Sequence, residues 1–310
     1  MKKVIFIGFW GEYVYQSDIL YKRIFSDTQK YECKMIQLNR NTKIFLHEAD
    51  IIICGSSIKN TIEKFYYKTF LFITEPIEKC YPFTYNMVKE NTVRVKAVLG
   101  CINNDTNKIK HPLYMIYKDD HKILEINKYI ENITFEEFVK KEFCCLINRH
   151  DMGNTRSTIY NKLKEISNIC CPSKLFNNYS NIEFEKEGRD HFQKRFLFGI
   201  CPENFVLTDL AGYVTEKLYL TCVGGSIPIY YGKLDDIDKS IFNINRVLLF
   251  DPTNEDSIDE VYNKVNELMN DKEKLFEFYK QKPFTDNAIE MLKKMDDNYI
   301  NRTKQIVEEM

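Results

Sequence analysis

The sequence predicts an α/β protein built from two Rossmann-like halves, and three observations carry that prediction. Short apolar runs alternate with polar, helix-like stretches, the pattern of a parallel sheet flanked by helices. The alternation occurs twice, on either side of a charged, helical, linker-like stretch at Ile123–Lys141. A chain of 310 residues with 44% hydrophobic content also exceeds what one core usually organises, so two domains of ordinary size are expected. The two sheets should face each other across a cleft, with the carboxyl ends of their strands lining it.

The first half opens on Met1-Lys2-Lys3 and an apolar run from Val4. That run is too short for a secretory leader and Glu12 follows it directly, so it reads as a buried first strand. Ser17–Ser26 reads as helical, and Ile51–Cys54, Thr69–Thr74 and Val93–Leu99 read as further strands of a domain at 1–140. The second half repeats the pattern with Phe143–Ile147, Leu197–Cys201, Ile227–Tyr231 and Val247–Phe250, in a domain at 141–284. From Ser257 the periodicity becomes helical, with Val261, Val265 and Leu268 on one face and Leu275 and Phe278 after them. Pro283 interrupts it. The amphipathic segment 285–310 then closes the chain as a helix expected to return to the first domain.

Composition excludes several classes. A formal net charge of -1, with Lys and Glu interspersed, lacks the basic excess of a nucleic-acid binder. No run approaches the roughly 20 apolar residues that span a bilayer, so the chain is expected to be cytoplasmic and at most peripherally membrane-associated. The ten cysteines include the adjacent pairs Cys144-Cys145 and Cys170-Cys171, which bridge each other poorly and point to reduced thiols. There is no Cys-x-x-Cys, the five histidines are scattered, and Asp119-Asp120 and Asp235-Asp236 lie in polar stretches, so no metal site is expected.

The most informative stretch is Gly212–Gly232, GYVTEKLYLTCVGGSIPIYYG, in which Glu216 and Lys217 open an apolar helix that runs through Gly224-Gly225 into a strand. A nucleotide diphosphate needs a cation and backbone donors, and Lys217 at a helix start offers both. Glu216 can accept from sugar or ribose hydroxyls. The same residues also read as an exposed Glu-Lys pair on a core helix whose far end the glycines cap. Just before them, the strand-like FLFGICPEN ends in Glu203 and Asn204, polar groups where ligands of open α/β sheets collect.

With these residues in order, the chain resembles the alpha-1,3/4-fucosyltransferase family. The resemblance rests on Glu203-Asn204, then Tyr213-Val214-Thr215-Glu216-Lys217, then Ile227-Pro228-Ile229-Tyr230 with Gly232, and the later Phe242-Asn243. Arg156, in FCCLINRHDMGNTRSTIYNKL, matches the family's arginine before a helix; Trp10, Gly11 and Glu12 resemble its first loop. FLFITEP resembles the strand carrying the family's acid, and VLGCINNDTNKIKHPLYMIY its Pro-Leu-Tyr segment. Thr74 stands where the family has Gly, Pro76 where it has Asn, and Pro202 where it usually has an aromatic residue, so the turn around Glu75 must differ.

The resemblance implies the GT-B architecture and an inverting, metal-independent transfer of fucose from GDP-fucose to a hydroxyl of an acceptor glycan, alpha-1,3 in type, with no further cofactor. In that scheme Glu75 is the general base, and Arg156 and Lys217 stabilise the departing diphosphate. Glu203, Asn204, Tyr213, Val214, Thr215 and Glu216 hold the donor, and Trp10 and Gly11 lie on the acceptor side. His150 reads as a loop histidine or as a residue facing the phosphates. Two alternatives stay open: the same fold with another nucleotide sugar, and a non-catalytic glycan-binding relative. A nicotinamide oxidoreductase does not fit, because GFWGEY lacks the Gly-x-Gly-x-x-Gly turn that a pyrophosphate requires.

Overall fold

A computed structural model describes residues 1–9, 14–37, 42–55, 63–90, 95–206 and 212–310. It divides into two compact units: Met1–Leu113 with Asp209–Tyr213 and Lys293–Met310, and Tyr114–Thr208 with Val214–Leu292.

The first unit is built on a parallel sheet of six strands in the order β2-β1-β3-β4-β5-β6. These are β1 (Lys2–Ile7), β2 (Tyr31–Ile36), β3 (Ile51–Gly55), β4 (Thr69–Ile73), β5 (Ala97–Gly100) and β6 (Lys108–Lys110). Register is set by pairs such as Val4 with Ile51, Cys54 with Leu71 and Leu71 with Val98. Both faces are covered, so β3, β4 and β5 are buried at every position and are mostly apolar. Ile5, Ile7, Ile52, Cys54, Leu71 and Val98 pack on one face with Leu46 of α1 (Thr42–Glu48), Ile77 of α2 (Ile77–Cys80) and Met87 of α3 (Pro82–Glu90). Val4, Phe6, Ile53, Phe70, Phe72 and Leu99 pack on the other face. The segment Ser17–Ser26, expected as a helix, forms a 3-10 turn at Tyr15–Ser17 and a π-helical turn at Tyr21–Phe25 that bury Ile24 and Phe25.

The second unit holds a five-stranded parallel sheet, ordered β11-β10-β9-β7-β8. Its strands are β7 (Glu142–Cys145), β8 (Ile169–Cys170), β9 (Phe196–Ile200), β10 (Ile227–Tyr230) and β11 (Leu248–Leu249). The unit begins at Tyr114, earlier than residue 140, because what reads as a linker is packed helix. Helix α4 (Asp120–Asn132) and α5 (Phe135–Phe138) bury Ile123, Ile126, Ile130 and Phe138. The backbone N–H of Asp119 donates to the Tyr219 hydroxyl at 2.7 Å, and Asn127 exchanges two hydrogen bonds with Phe284.

Between β7 and β9 lie α6 (Thr155–Leu163), α7 (Asn181–Glu187) and α8 (Arg189–Gln193). After β9 come α9 (Glu216–Val223), α10 (Asp236–Ile241), α11 (Glu255–Asn270) and α12 (Lys272–Tyr279). Helix α11 buries Ile258, Val261, Val265 and Leu268, as its period requires. The closing helix α13 (Ala288–Glu308) belongs to the second unit through Leu292 and to the first from Lys293. In the first unit its Tyr299, Ile300 and Val307 complete the core behind Val4 and Phe6. His111, after β6, stacks on Tyr299 at 4.1 Å and meets Asp296 at 3.1 Å.

All ten cysteines are free thiols. Among the described residues no helix is long and apolar enough to cross a membrane.

Candidate active site

The second unit places most of the predicted residues in one network around Glu203, just beyond the carboxyl end of β9. Glu203 is fully buried, and a carboxylate survives there only if donors surround it. Its Oε1 accepts from the Thr215 N–H at 2.8 Å and the Tyr230 hydroxyl at 3.0 Å. Its Oε2 accepts from the Thr215 hydroxyl at 2.7 Å and the Lys217 ammonium at 3.2 Å. Burial first, and then the facing Glu203 charge, push the Tyr230 phenol well above its ordinary range. Gly232 is required by the same bond, since a Cβ there would lie 2.1 Å from the Tyr230 hydroxyl. Three separated motifs, Glu-Asn, Thr-Glu-Lys and Tyr-x-Gly, are thus joined by one side chain.

Lys217, in the first turn of α9, is 7% exposed. Its Nζ lies 2.7 Å from the Thr215 hydroxyl and 3.5 Å from Glu216 Oε1, besides Glu203. Burial alone would lower its pKa, but the carboxylates of Glu203 and Glu216 outweigh burial and hold it above the ordinary lysine value. Burial likewise works to raise the Glu216 pKa, and the Lys217 charge heads the opposing causes that bring it below the usual carboxylate range.

Arg156 enters from the start of α6 and is 1% exposed. Its guanidinium donates to the His150 carbonyl, the Asn204 side-chain oxygen and the Pro202 carbonyl. His150 therefore contributes its backbone to the site, while its side chain is exposed. Asp151 caps α6 by accepting from the N–H groups of Arg156 at 3.1 Å and Ser157 at 2.8 Å. The Thr155 hydroxyl donates to the Glu203 carbonyl at 2.7 Å. Gly153 lets this loop close on β9, because a Cβ would stand 2.6 Å from the Asn204 carbonyl oxygen. Arg156 is near enough to Lys217 that its charge opposes protonation there, so the two cations named from the sequence share one site.

Tyr213 and Glu75 are held together in the first unit. The Tyr213 hydroxyl faces Glu75 Oε2 at 3.4 Å, and Tyr213 is itself buried, like Val214 after it. Gly212, at φ +102, passes so close to Asn103 that a Cβ would lie 2.7 Å from its backbone nitrogen. Glu75 follows β4 in a bend and precedes Pro76, the N-cap of α2 at φ -67. That proline supplies the local turn that Gly and Asn would otherwise shape. Glu75 is partly exposed, and its charge adds to burial in raising the Cys80 thiol and Tyr81 phenol. Trp10 and Gly11 lie outside the described residues.

Sequence reasoning missed Asp151, Gly153 and Thr155, which brace Arg156, and the anchoring part played by Tyr230. The Tyr-x-Gly spacing was the available signal for Tyr230. Among the described residues no three His, Cys, Asp or Glu side chains cluster as a metal site.

No protein-family model matches the chain. An alpha-(1,3)-fucosyltransferase of Helicobacter pylori is 26% identical to it over 158 residues, 48% of this chain and 32% of the relative. The match thus spans about a third of that curated relative's length. A crystal structure of an alpha1,3-fucosyltransferase with GDP-fucose superposes with TM-score 0.60 at 17% identity, over 96% of this chain and 90% of that one. Anabaena HepE in complex with UDP and glucose gives TM-score 0.54 at 8% identity over 100% of both chains. An alpha-glucosyltransferase in complex with UDP-glucose and DNA gives 0.51 at 10% identity, covering 99% of each chain. The chain accordingly has the two-sheet α/β fold of GT-B glycosyltransferases, and the resemblance to alpha-1,3-fucosyltransferases read from its motifs is met by similarity both in sequence and in fold.

Proposed function

We propose that this protein is an inverting, metal-independent glycosyltransferase that moves fucose from GDP-fucose to a hydroxyl of an acceptor glycan, alpha-1,3 in type. One observation carries the reading: Glu203 ties together the motif residues Thr215, Lys217 and Tyr230 at the carboxyl end of β9, with Arg156 beside them. Ligands of such sheets bind there. The second unit then handles the donor and the first the acceptor.

In this reaction Glu75 accepts the proton of the acceptor hydroxyl as its oxygen bonds to the sugar's anomeric carbon. The bond from that carbon to the diphosphate oxygen breaks, and GDP leaves with the electron pair. Arg156 and Lys217 meet the charge that develops on the leaving group. Of the partners of Lys217, Glu216 at 3.5 Å is the weakest held. An arriving phosphate displaces it, and Glu216 turns to a donor hydroxyl. Asn204, Tyr213, Val214 and Thr215 complete the donor pocket. Free thiols throughout support a cytoplasmic setting.

The fold is shared with proteins solved with UDP and glucose, so a donor other than GDP-fucose is the second reading. A thermal-shift panel of GDP, UDP, CMP and their sugars tests both, because a ligand of the folded state raises the melting temperature. Stabilisation by GDP and GDP-fucose is expected. A response to UDP-sugars alone moves the protein to the second reading, and no response to any nucleotide leaves a glycan-binding relative.

A further inference from the structure

The cations assigned so far are already committed within the second unit. The Arg156 guanidinium is tied to His150, Pro202 and Asn204, and the Lys217 ammonium to Glu203, Thr215 and Glu216. The same cluster holds three carboxylates, Asp151, Glu203 and Glu216, against those two cations. An arriving diphosphate would add negative charge to a site that is already short of positive charge. Another cation is needed, and Arg189 is in place to supply it.

Arg189 is the first residue of α8, and that helix packs on α9, which begins at Glu216. Further along α8, Phe192 packs with Cys145 at the end of β7. Gln193 fits over Gly199 of β9 and Gly224 at the end of α9. The guanidinium of Arg189 is therefore set among β7, β9 and α9. Burial is the largest single influence on the ionisation of Cys145, Cys201 and Glu216, and in all three the charge of Arg189 acts against it, with the opposing causes together prevailing at Glu216. Arg189 is partly exposed, yet its Nε is buried without a hydrogen-bond partner among the described residues. No ion pair or hydrogen bond of its side chain is found among them either. A buried Nε–H left in that condition is costly unless a ligand or water supplies an acceptor.

We infer that Arg189 is a donor-binding residue, whose guanidinium fork takes oxygens of the nucleotide sugar's diphosphate beside Arg156 and Lys217. The inference rests on the donor-site reading above and extends it to a residue outside the motifs. Arginine suits the task, since its planar donors match phosphate oxygens in pairs.

Calorimetric titration of pyrophosphate and of GDP into the wild-type protein, Arg189→Gln, Arg189→Lys and Arg149→Gln tests it. Arg149 lies exposed in the loop after β7 and serves as the comparison. Arg189→Gln should weaken both ligands about 10- to 100-fold, the worth of a charged hydrogen bond. Arg189→Lys should recover only part of that loss, and Arg149→Gln should change affinity by less than about threefold, as expected of a screened surface charge. Pyrophosphate affinity within about twofold of wild type in Arg189→Gln, with a lowered melting temperature, would show a merely structural arginine and overturn the inference. If Arg189→Gln fails to fold, undiminished binding by Arg189→Lys overturns it equally. Wild-type protein that binds pyrophosphate but not GDP, with the loss at Arg189 intact, supports the anion site and removes the nucleotide reading. Binding of neither ligand removes both.

Discussion

The carboxyl ends of β9 and β4 each present a glutamate, and the two are held in opposite ways. Glu203 is fully buried, with four donors at 3.2 Å or less on its two oxygens. Glu75 is partly exposed and meets the Tyr213 hydroxyl at 3.4 Å. A carboxylate enclosed by four matched donors is fixed in place by them, so Glu203 is suited to holding other groups still. Glu75, the base proposed above, stands at a solvent-reachable bend. The difference teaches that two glutamates at equivalent strand ends can be given a fixed and an accessible setting through their neighbours alone.

Substitutions can break that contrast, and the largest effect is expected at Glu75, the proposed base. Glu75→Gln should lower transfer turnover by about 100- to 10,000-fold while leaving GDP affinity as it is; near-normal turnover would remove Glu75 from the chemistry. Glu203→Ala should instead act on the fold. It strands a buried ammonium, a phenol and a hydroxyl, and is expected to cost about 3–5 kcal/mol in urea unfolding. If Glu203→Ala is as stable as wild type, the scaffold half of the comparison fails.

Lys217→Ala sits between the two. It should weaken GDP binding by about 1.5–3 kcal/mol, and unchanged affinity in a folded variant would take Lys217 out of the donor site. Gly232→Ala sharpens the scaffold role, because its new Cβ falls 2.1 Å from the hydroxyl that Tyr230 gives to Glu203. A loss of about 1–3 kcal/mol in stability is expected from such overpacking, with a smaller loss still in Glu203→Ala, where that bond is already gone.

The smallest expected effect is one of pH. Lys217 has its pKa raised in the folded state, so its contribution to stability is complete below the unfolded lysine value and fades only as pH climbs through the folded one. The stability difference between wild type and Lys217→Met should therefore be the same at about pH 7 and pH 9, both below the ordinary lysine pKa. A difference that shrinks over that interval would mean that burial prevails over Glu203.

Legibility in the sequence followed burial. β3, β4, β9 and β10 lie inside their sheets, carry apolar residues on both faces, and are read directly as hydrophobic runs. The strands that escaped, β2, β6 and β8, are all edges. β2 alternates exposed and half-buried positions as YECKMI, and β6 is the three-residue KIK, so neither rises above a polar background. The linker-like reading of Ile123–Lys141 failed for a related reason. Its charges lie on the outward side of α4, while Ile123, Ile126 and Ile130 dock on the second unit.

The site divides similarly. Arg156, Asn204, Glu216 and Lys217 stand out through motifs that resemble those of fucosyltransferases, and Glu203 joins part of that pattern by bonding Thr215, Lys217 and Tyr230. Arg189 stands in the charged stretch KEGRD, and nothing there separates it from a solvated face until α8 is seen packed on α9.

The closing helix has a consequence for how the chain is made. One face of the first sheet, with Val4, Phe6, Phe70 and Phe72, is sealed by Tyr299, Ile300 and Val307. On a ribosome the amino-terminal half therefore waits, its greasy side open, until the intervening residues of the other unit (Tyr114–Thr208 and Val214–Leu292) have emerged. Chaperone dependence during synthesis, and aggregation of fragments cut short of Lys293, follow from that delay.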